Sequence, residues 1–238
     1  MQAQLDLGGF SVDVVFKDIK NVHLSVYPPT GRVRISAPER MNLDAIRLFA
    51  ISKLDWIKRQ RTKLQAQERE TPREYLDRES HYLWGKRFLL HVLEIDAAPS
   101  LHLDARKMLL RVRPPSTEVK KRAIVAQFYR EQIKVAVPSL VARWAPAMGV
   151  TIDRFYVQQM KTKWGSCNPR ARTIRLNTEL AKKPKHCLEY IVVHEMVHFF
   201  ERYHGDKFVS LMDRFMPQWR SHRDELNRHP LAHEYWEC

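Results

Sequence analysis

The segment from Tyr190 to Phe208, YIVVHEMVHFFERYHGDKF, constrains this 238-residue chain more than any other part of its sequence. It contains the pattern HExxH, in which His194 and His198 are four residues apart. Residues with that separation lie one above the other on a single face of an α-helix, so both imidazoles reach the same metal ion. The preceding residues are apolar, which predicts a helix buried against a sheet with its polar edge facing a cleft. Buried histidines and a buried glutamate need a partner, and a metal ion is the simplest one.

Glu195 follows His194 directly, so it is rotated by about 100° around the helix axis. That position is poor for direct ligation and suitable for holding and deprotonating a metal-bound water. A zinc ion with three protein ligands keeps a fourth position open and lowers the pKa of its water to about 7. Glu195 is therefore predicted to be the catalytic base, which later returns the proton to the leaving group. The alternative is a surface helix whose histidines are solvated.

The third ligand is less firmly specified by the sequence. His204 lies six residues after His198, which is the spacing found in HExxHxxGxxH metallopeptidases. The glycine of that longer pattern is replaced here by Glu201, so the match to it fails. His204 is the preferred third ligand and Glu225, further along the chain, is the second choice. Glu201 is predicted to support a ligand rather than to bind the metal.

The sequence predicts an α+β protein with a β-rich N-terminal region. Alternating β-branched segments predict strands at 12–16, 22–27 and 32–37, with a turn at Pro28–Gly31. A helix is predicted over about residues 42–68, capped by Asn42. Two prolines before Ser116 and Thr117 mark a boundary, giving an N-terminal region over 1–115 and a catalytic domain over 116–238. The predicted apolar stripe of the first helix is Ile46, Phe49, Ile51, Leu54, Ile57 and Leu64.

The C-terminal half is predicted to alternate helices with short strands. A long helix follows Thr117, with Pro138 as a kink or break. Strands are predicted around 150–160 and at Thr173–Asn177. The second of these is either an edge strand for an extended substrate or an interior, structural strand. A further helix follows Gly205 and ends near Pro217.

Charge and cysteine content restrict the partners and the compartment. The net charge is +14 and the pI is near 9.9, which favours anionic partners such as nucleotides, acidic proteins or weakly bound nucleic acid. The basic residues are scattered, so a solvated surface is an equally simple explanation. Three cysteines without CxxC spacing, no secretory signal and no apolar run of about 18 residues predict a cytoplasmic protein without membrane spans.

A smaller group of residues carries weaker predictions. Basic side chains near a Trp-Gly-Ser-Cys segment are candidates for binding phosphate or acidic side chains, although a solvated basic surface is the simpler interpretation. Cys167 is expected to be a small core residue. Three C-terminal histidines are expected to be surface residues rather than a second site: His222, His229 and His233. The candidate substrate-binding residues are Lys163, Arg172 and Asn177.

Several of these segments together resemble the YgjP-like metallopeptidase family of bacterial predicted metal-dependent hydrolases, and more distantly the SprT-like zincins. The matching motifs are Trp164–Cys167, the I-x-LN segment ending at Asn177, the HExxH pattern, and His204–Gly205 with Phe208. The segments ISKLDWIKRQ and HYLWGKRFLLHV are also similar to the family's first half. The lead FFERYHG differs from the family's more usual Leu…Asn-His-Ser, which changes the rim of the pocket.

The resemblance implies a zincin-like domain with Zn²⁺, or another divalent metal, on His194, His198 and His204, and with Glu195 as base. The preferred activity is peptide hydrolysis. One relative of the family is described as a nucleoside triphosphate pyrophosphatase, which makes a metal-dependent pyrophosphatase the first alternative. The second alternative is a basic nucleic-acid-binding module with a structural metal.

Overall fold

The structure is a computed structural model that describes residues 2–27, 30–66, 73–160 and 163–228. Within these ranges it is a mixed α+β protein with three sheets. The described residues up to 66 form one compact unit, and those from 73 to 228 form another. Some features named above lie outside the described residues: Pro28 and Pro29 of the predicted turn, His229, His233 and Cys238.

The first unit is a four-stranded sheet with two helices. Its elements are β1 (Gln2–Asp6), β2 (Ser11–Lys17), β3 (His23–Tyr27), β4 (Arg32–Pro38), α1 (Leu43–Ser52) and α2 (Leu54–Ala66). The sheet order is β1-β2-β4-β3, and β2 and β4 are parallel. The core of this unit contains Val12, Val14, Val33 and Ile35 from alternating strand positions, as the period-two pattern requires.

The helix predicted over 42–68 is two helices. Asn42 caps the first, and its side-chain oxygen accepts a hydrogen bond from the Ala45 N–H at 2.8 Å. The break occurs at Lys53, whose φ of −106° and ψ of 9° depart from α-helical values. Its N–H donates to the Ala50 carbonyl three residues back, so the first helix ends in a tight turn. Ile51, predicted on the buried stripe, is 51% exposed, because it lies about 100° around α1 from the buried Ala50.

The second unit begins with another four-stranded sheet, ordered β5-β6-β8-β7. The long helix α3 (Glu118–Met148) follows it, is capped by Thr117 as predicted, and continues through Pro138 without a break. The strand residues Leu90, Met108 and Leu110 share one core with Ile133 of α3. Because of this shared core, the observed units divide between residues 66 and 73, whereas the sequence placed the boundary near 116. The strand bounds are β5 (Ser80–Leu83), β6 (Lys86–Glu94), β7 (Ser100–Asp104) and β8 (Lys107–Val112).

A three-stranded sheet supports the candidate site. It comprises β9 (Arg154–Gln158), β10 (Gly165–Asn168) and β11 (Thr173–Asn177), in the order β10-β11-β9. β11 pairs antiparallel with β10 and parallel with β9. Of the two alternatives for Thr173–Asn177, the edge strand is therefore wrong, and the strand is interior because both of its edges are paired. β10, which the sequence did not predict, is an edge strand of this sheet.

Three helices complete the unit after a 3₁₀-helix at Thr178–Lys182. They are α4 (Lys185–Val197), α5 (Asp206–Phe215) and α6 (Trp219–Arg228), and both α5 and α6 contact α4. The sequence predicted α4 and α5 but not α6. No helix within the described ranges is both long enough and apolar enough to cross a bilayer.

Candidate metal centre

The site is built on the C-terminal end of α4. The apolar residues Ile191, Val192 and Val193 are buried, which anchors the helix in the core of the second unit. His194 and Glu195 follow in the last turn, and His198 is the C-cap residue with a φ of −65° and a ψ of −11°. The helical geometry therefore continues far enough to place both histidines on the same side, as their spacing predicted.

The structure brings the three predicted histidines together. One ring nitrogen from each of His194, His198 and His204 lies within 4.8 Å of the other two. The Nε2 atoms of His194 and His204 are 3.0 Å apart. His204 reaches the other rings from the segment between α4 and α5. This segment turns back without the glycine that HExxHxxGxxH peptidases use.

Phe208 fixes the orientation of this cluster. Its ring centroid lies 4.9 Å from that of His194, 4.9 Å from that of His198 and 4.6 Å from that of His204. Phe208 is on α5 and only 2% exposed. A large buried ring in contact with all three imidazoles limits their rotation, so the nitrogens are held close together before any cation binds.

Backbone contacts select the ring nitrogen that His198 offers to a cation. Its Nδ1 atom is 3.0 Å from the backbone carbonyl oxygen of Glu201. A carbonyl only accepts, so this contact places the proton on Nδ1 and leaves Nε2 free as a metal ligand. Glu201 thus contacts the His198 ring through its main chain. Its carboxylate instead accepts from the Tyr203 N–H and pairs with Lys207.

The environment of His194 favours a neutral ring. Burial, with smaller contributions from His198 and His204, lowers the pKa of His194 to about 3. Its buried Nδ1 has no hydrogen-bond partner among the described residues. Neutral imidazoles are the form that binds zinc, and a set of three nitrogen donors suits Zn²⁺ better than Mg²⁺. The residues present therefore fit the metal that the sequence predicted.

Glu195 is held beside the histidines in a buried position. It is 5% exposed, and burial raises its pKa to about 8, while the charge of Lys163 acts in the opposite direction. A β-carbon placed on Gly165 would lie 2.6 Å from Glu195 Oε1. The strand β10 and the helix α4 thus approach each other closely at this carboxylate, and only a glycine leaves room for it.

A cavity of about 1100 Å³ opens over these residues. One wall is formed by β10 and the segment before it, and the other by α4, the segment after it, and α6. Its lining includes His194, Glu195, His198 and His204. The other lining residues are Lys163, Trp164, Gly165, Ser166, Cys167, Asn168, Pro169, Arg170, Arg175, Tyr190, Ile191, Arg202, Arg223, Leu226 and Asn227.

The candidate substrate-binding residues occupy different environments. Lys163 lines the cavity. Arg172 does not, and its guanidinium is 3.0 Å from Asp153. Asn177 is 5% exposed, and its amide donates to the Met160 and Lys163 carbonyls at 2.8 Å each. Asn177 therefore holds the segment that precedes β10 and does not face the cavity.

The alternative ligand Glu225 lies outside the histidine cluster. Its carboxylate is 2.7 Å from His186 Nε2, in a contact between α4 and α6. His222, also on α6, packs against His186 with ring centroids 4.8 Å apart. His222 and Glu225 therefore belong to the packing of α6 on α4 rather than to the metal cluster.

Cys167 lines the cavity and is partly exposed, so it is not a simple core residue. Burial and the nearby charge of Glu195 raise the pKa of its thiol to about 12. A thiol in that environment stays protonated at neutral pH and is a poor nucleophile.

Four residues of the site received no specific role from the sequence. Gly165 and Phe208 were named only within motifs that resemble the family. Tyr190 and Arg223 were not considered, although both line the cavity. Arg223 depends on α6, whose polar composition hides its two buried residues, Trp219 and Leu226.

Comparison with known proteins gives a family match over most of the chain. The family described as YgjP-like, metallopeptidase domain, matches residues 20–229. No curated protein matches the chain significantly.

Two solved structures are similar to part of this chain. The metallopeptidase zymogen of Pyrococcus abyssi abylysin is 18% identical, with a TM-score of 0.35, and the match covers 38% of this chain and 90% of that one. The metallopeptidase zymogen of Methanocaldococcus jannaschii jannalysin is 23% identical, with a TM-score of 0.32, covering 40% of this chain and 92% of that one.

Proposed function

Because the chain belongs to the YgjP-like metallopeptidase domain family, we propose that it is a zinc-dependent peptidase with His194, His198 and His204 as ligands. The observation that carries this proposal is the convergence of three imidazole nitrogens within 4.8 Å of one another. Glu195 beside them is the proposed general base.

A bound Zn²⁺ would supply Lewis-acid polarisation of the scissile carbonyl and acidify a water molecule. Glu195 would take the proton from the attacking water at a carboxylate oxygen and pass it to the leaving amine nitrogen. Its position beside the three imidazoles, on the lining of the cavity, supports this role. Phe208 and the Glu201 carbonyl would keep the imidazoles oriented.

The shape of the cavity supports a polypeptide substrate. Its wall includes β10, whose outer edge is unpaired among the described strands. An extended peptide laid along this edge would gain main-chain hydrogen bonds, which bind polypeptides without demanding a particular sequence. The volume of about 1100 Å³ accommodates several residues of such a chain.

A nucleoside triphosphate pyrophosphatase is the second candidate, and the lysine and arginine residues of the cavity favour it. The donor set does not: Mg²⁺ and Mn²⁺ prefer carboxylate and carbonyl oxygens, whereas this cluster offers three imidazoles. The nucleic-acid-binding alternative has only the net charge of +14 in its favour.

Hydrolysis assays on the zinc-loaded protein separate these candidates. We expect cleavage of an unstructured protein, no release of pyrophosphate from nucleoside triphosphates, and loss of cleavage after chelation. Glu195→Gln should keep the metal and lose the cleavage. If the protein releases pyrophosphate in a reaction that depends on Glu195 and cleaves no polypeptide, the pyrophosphatase is the correct function and the peptidase proposal is wrong. Tight, salt-dependent DNA or RNA binding by an inactive protein would favour the binding module.

A further inference from the structure

The cavity over the histidine cluster is lined by positive charge on several sides. Among the described residues that line it, Glu195 is the only one with a carboxylate. The lining cations are Lys163, Arg170, Arg175, Arg202 and Arg223. Such an imbalance in a partly enclosed space attracts anionic groups, because charges interact more strongly there than on an open surface.

Two of the cations flank β10, the strand proposed to pair with the substrate. Two others lie on the opposite wall of the cavity. Lys163 and Arg170 lie two residues before and two residues after β10 (Gly165–Asn168). Arg202 belongs to the segment between α4 and α5, and Arg223 to α6. An extended peptide paired with β10 therefore passes positive side chains on both sides of the histidine cluster.

Three of these cations form no ion pair with a carboxylate of the described residues: Arg170, Arg175 and Arg202. The charge of Lys163 acts on the buried Glu195, whose pKa it lowers. Arg223 is partly neutralised by Asp224, with its Nε 3.0 Å from Asp224 Oδ1. The Arg175 guanidinium lies 5.5 Å from the centre of the Tyr156 ring, a stacking contact that leaves its charge uncompensated.

We propose that the cavity selects polypeptide segments with aspartate or glutamate on both sides of the scissile bond. This inference rests on the proposed peptidase function and names its substrate class. Acidic side chains of an extended peptide alternate along its length at about 3.3 Å per residue. They therefore reach the separated cations from a single strand. A nucleoside triphosphate carries its charge in one compact group and engages only one side of such a cavity.

The test compares two fluorogenic peptides of the same length and scissile bond. One carries aspartate and glutamate on both sides of that bond, and the other carries asparagine and glutamine at the same positions. At low salt, the zinc-loaded protein should cleave the acidic peptide with a kcat/KM about tenfold higher or more, since several weak charge pairs combine. The ratio should fall as salt shortens the Debye length to about 8 Å at 0.15 M. Equal kcat/KM values would overturn the inference and leave the peptidase function intact.

Charge-reversal variants locate the preference in the cavity. Arg170→Glu and Arg202→Glu should each reduce the ratio of acidic to neutral cleavage. The matched control is Lys120→Glu, which makes the same change in net charge on an exposed residue of α3 that does not line the cavity. It should leave the ratio unchanged. A drop of the same size in the control would assign the preference to the overall charge and overturn the inference.

Binding to the zinc-loaded Glu195→Gln variant separates this inference from the peptidase function. Fluorescence anisotropy should show tighter binding of the acidic peptide than of the neutral one, with or without turnover by the wild-type protein. Tighter binding without wild-type cleavage would retain the anionic specificity and reject the peptidase. Equal binding of the two peptides would overturn the inference. So would a nucleoside triphosphate that displaces the acidic peptide from the variant and is hydrolysed by the wild-type protein.

Discussion

Gly165 and Glu195 approach so closely that a side chain at Gly165 would have to displace the carboxylate. A β-carbon there would lie 2.6 Å from Oε1, 2.9 Å from Cγ and 3.0 Å from Cδ of Glu195. These distances are shorter than ordinary van der Waals contacts. The glycine of the Trp-Gly-Ser-Cys segment is thus explained by the position of the proposed base on a different element.

Gly165→Ala should therefore impair catalysis more than metal binding. The added methyl group displaces the Glu195 carboxylate, and a misplacement of about 1 Å costs on the order of 10²-fold in rate. We expect kcat/KM to fall by at least tenfold while metal analysis still finds one zinc per chain. Gly205→Ala is the matched control, because a β-carbon at Gly205 meets nothing within 4 Å. Full activity of Gly165→Ala would show that the carboxylate has more room than the structure gives it.

Asn177→Ala should reduce stability rather than substrate affinity. The mutation removes two 2.8 Å donor contacts to the Met160 and Lys163 carbonyls, and the acceptor of the Glu179 N–H. Loss of these contacts should lower the free energy of unfolding by about 2–4 kcal/mol, measured by urea denaturation. Asn177→Asp keeps the acceptor and loses the donors, so its free energy of unfolding should lie between those of the wild type and Asn177→Ala. Unchanged stability with a raised KM would instead make Asn177 a substrate-binding residue.

The thiols of Cys167 and Cys187 should react slowly with iodoacetamide. Burial raises the pKa of each to about 12, so almost no thiolate is present at pH 7.5. Alkylation in a Cys238→Ser background should be on the order of a thousandfold slower than for an unperturbed thiol, and should accelerate with rising pH. The same protein in denaturant is the control and should react at the normal rate. Fast modification of Cys167 in the native protein would identify it as a reactive thiol.

Glu195 should make the metal-free protein less stable as the pH rises. In the folded protein its pKa of about 8 lies above the usual glutamate value of 4.5, so the folded state keeps a proton that the unfolded chain releases. The stabilisation from this proton is complete below about pH 4.5 and is lost as the pH rises through 8. Relative to Glu195→Gln, the chelator-treated wild type should lose on the order of 3 kcal/mol between pH 5 and pH 9. The free energy of unfolding of each protein is measured by urea denaturation at each pH. A difference between the two proteins that stays constant from pH 5 to pH 9 would contradict the raised pKa.

The local chemistry of the site was predictable from the sequence, since it depends on short spacings. His194 and His198 are four residues apart on one helix, and Thr117 and Asn42 cap their helices as their side chains suggested. His204 could be ranked first by spacing alone, although the structure shows that it reaches the cluster without the expected glycine.

Features that depend on contacts between distant segments were not predictable in the same way. β10 is a strand because Gly165 to Asn168 pair with β11, and nothing in its four residues has a strong strand preference. That pairing also moves Thr173–Asn177 from the edge to the centre of the sheet. Helix α6 was missed because only Trp219 and Leu226 are buried in it, and its contribution to the cavity, Arg223, was missed with it.

Zinc K-edge X-ray absorption of the zinc-loaded protein measures directly whether three imidazoles hold the metal. We expect a four-coordinate zinc with three imidazole nitrogens at about 2.0–2.1 Å and one further light ligand. A sulfur scatterer near 2.3 Å, or a first shell with fewer than three imidazoles, would contradict it.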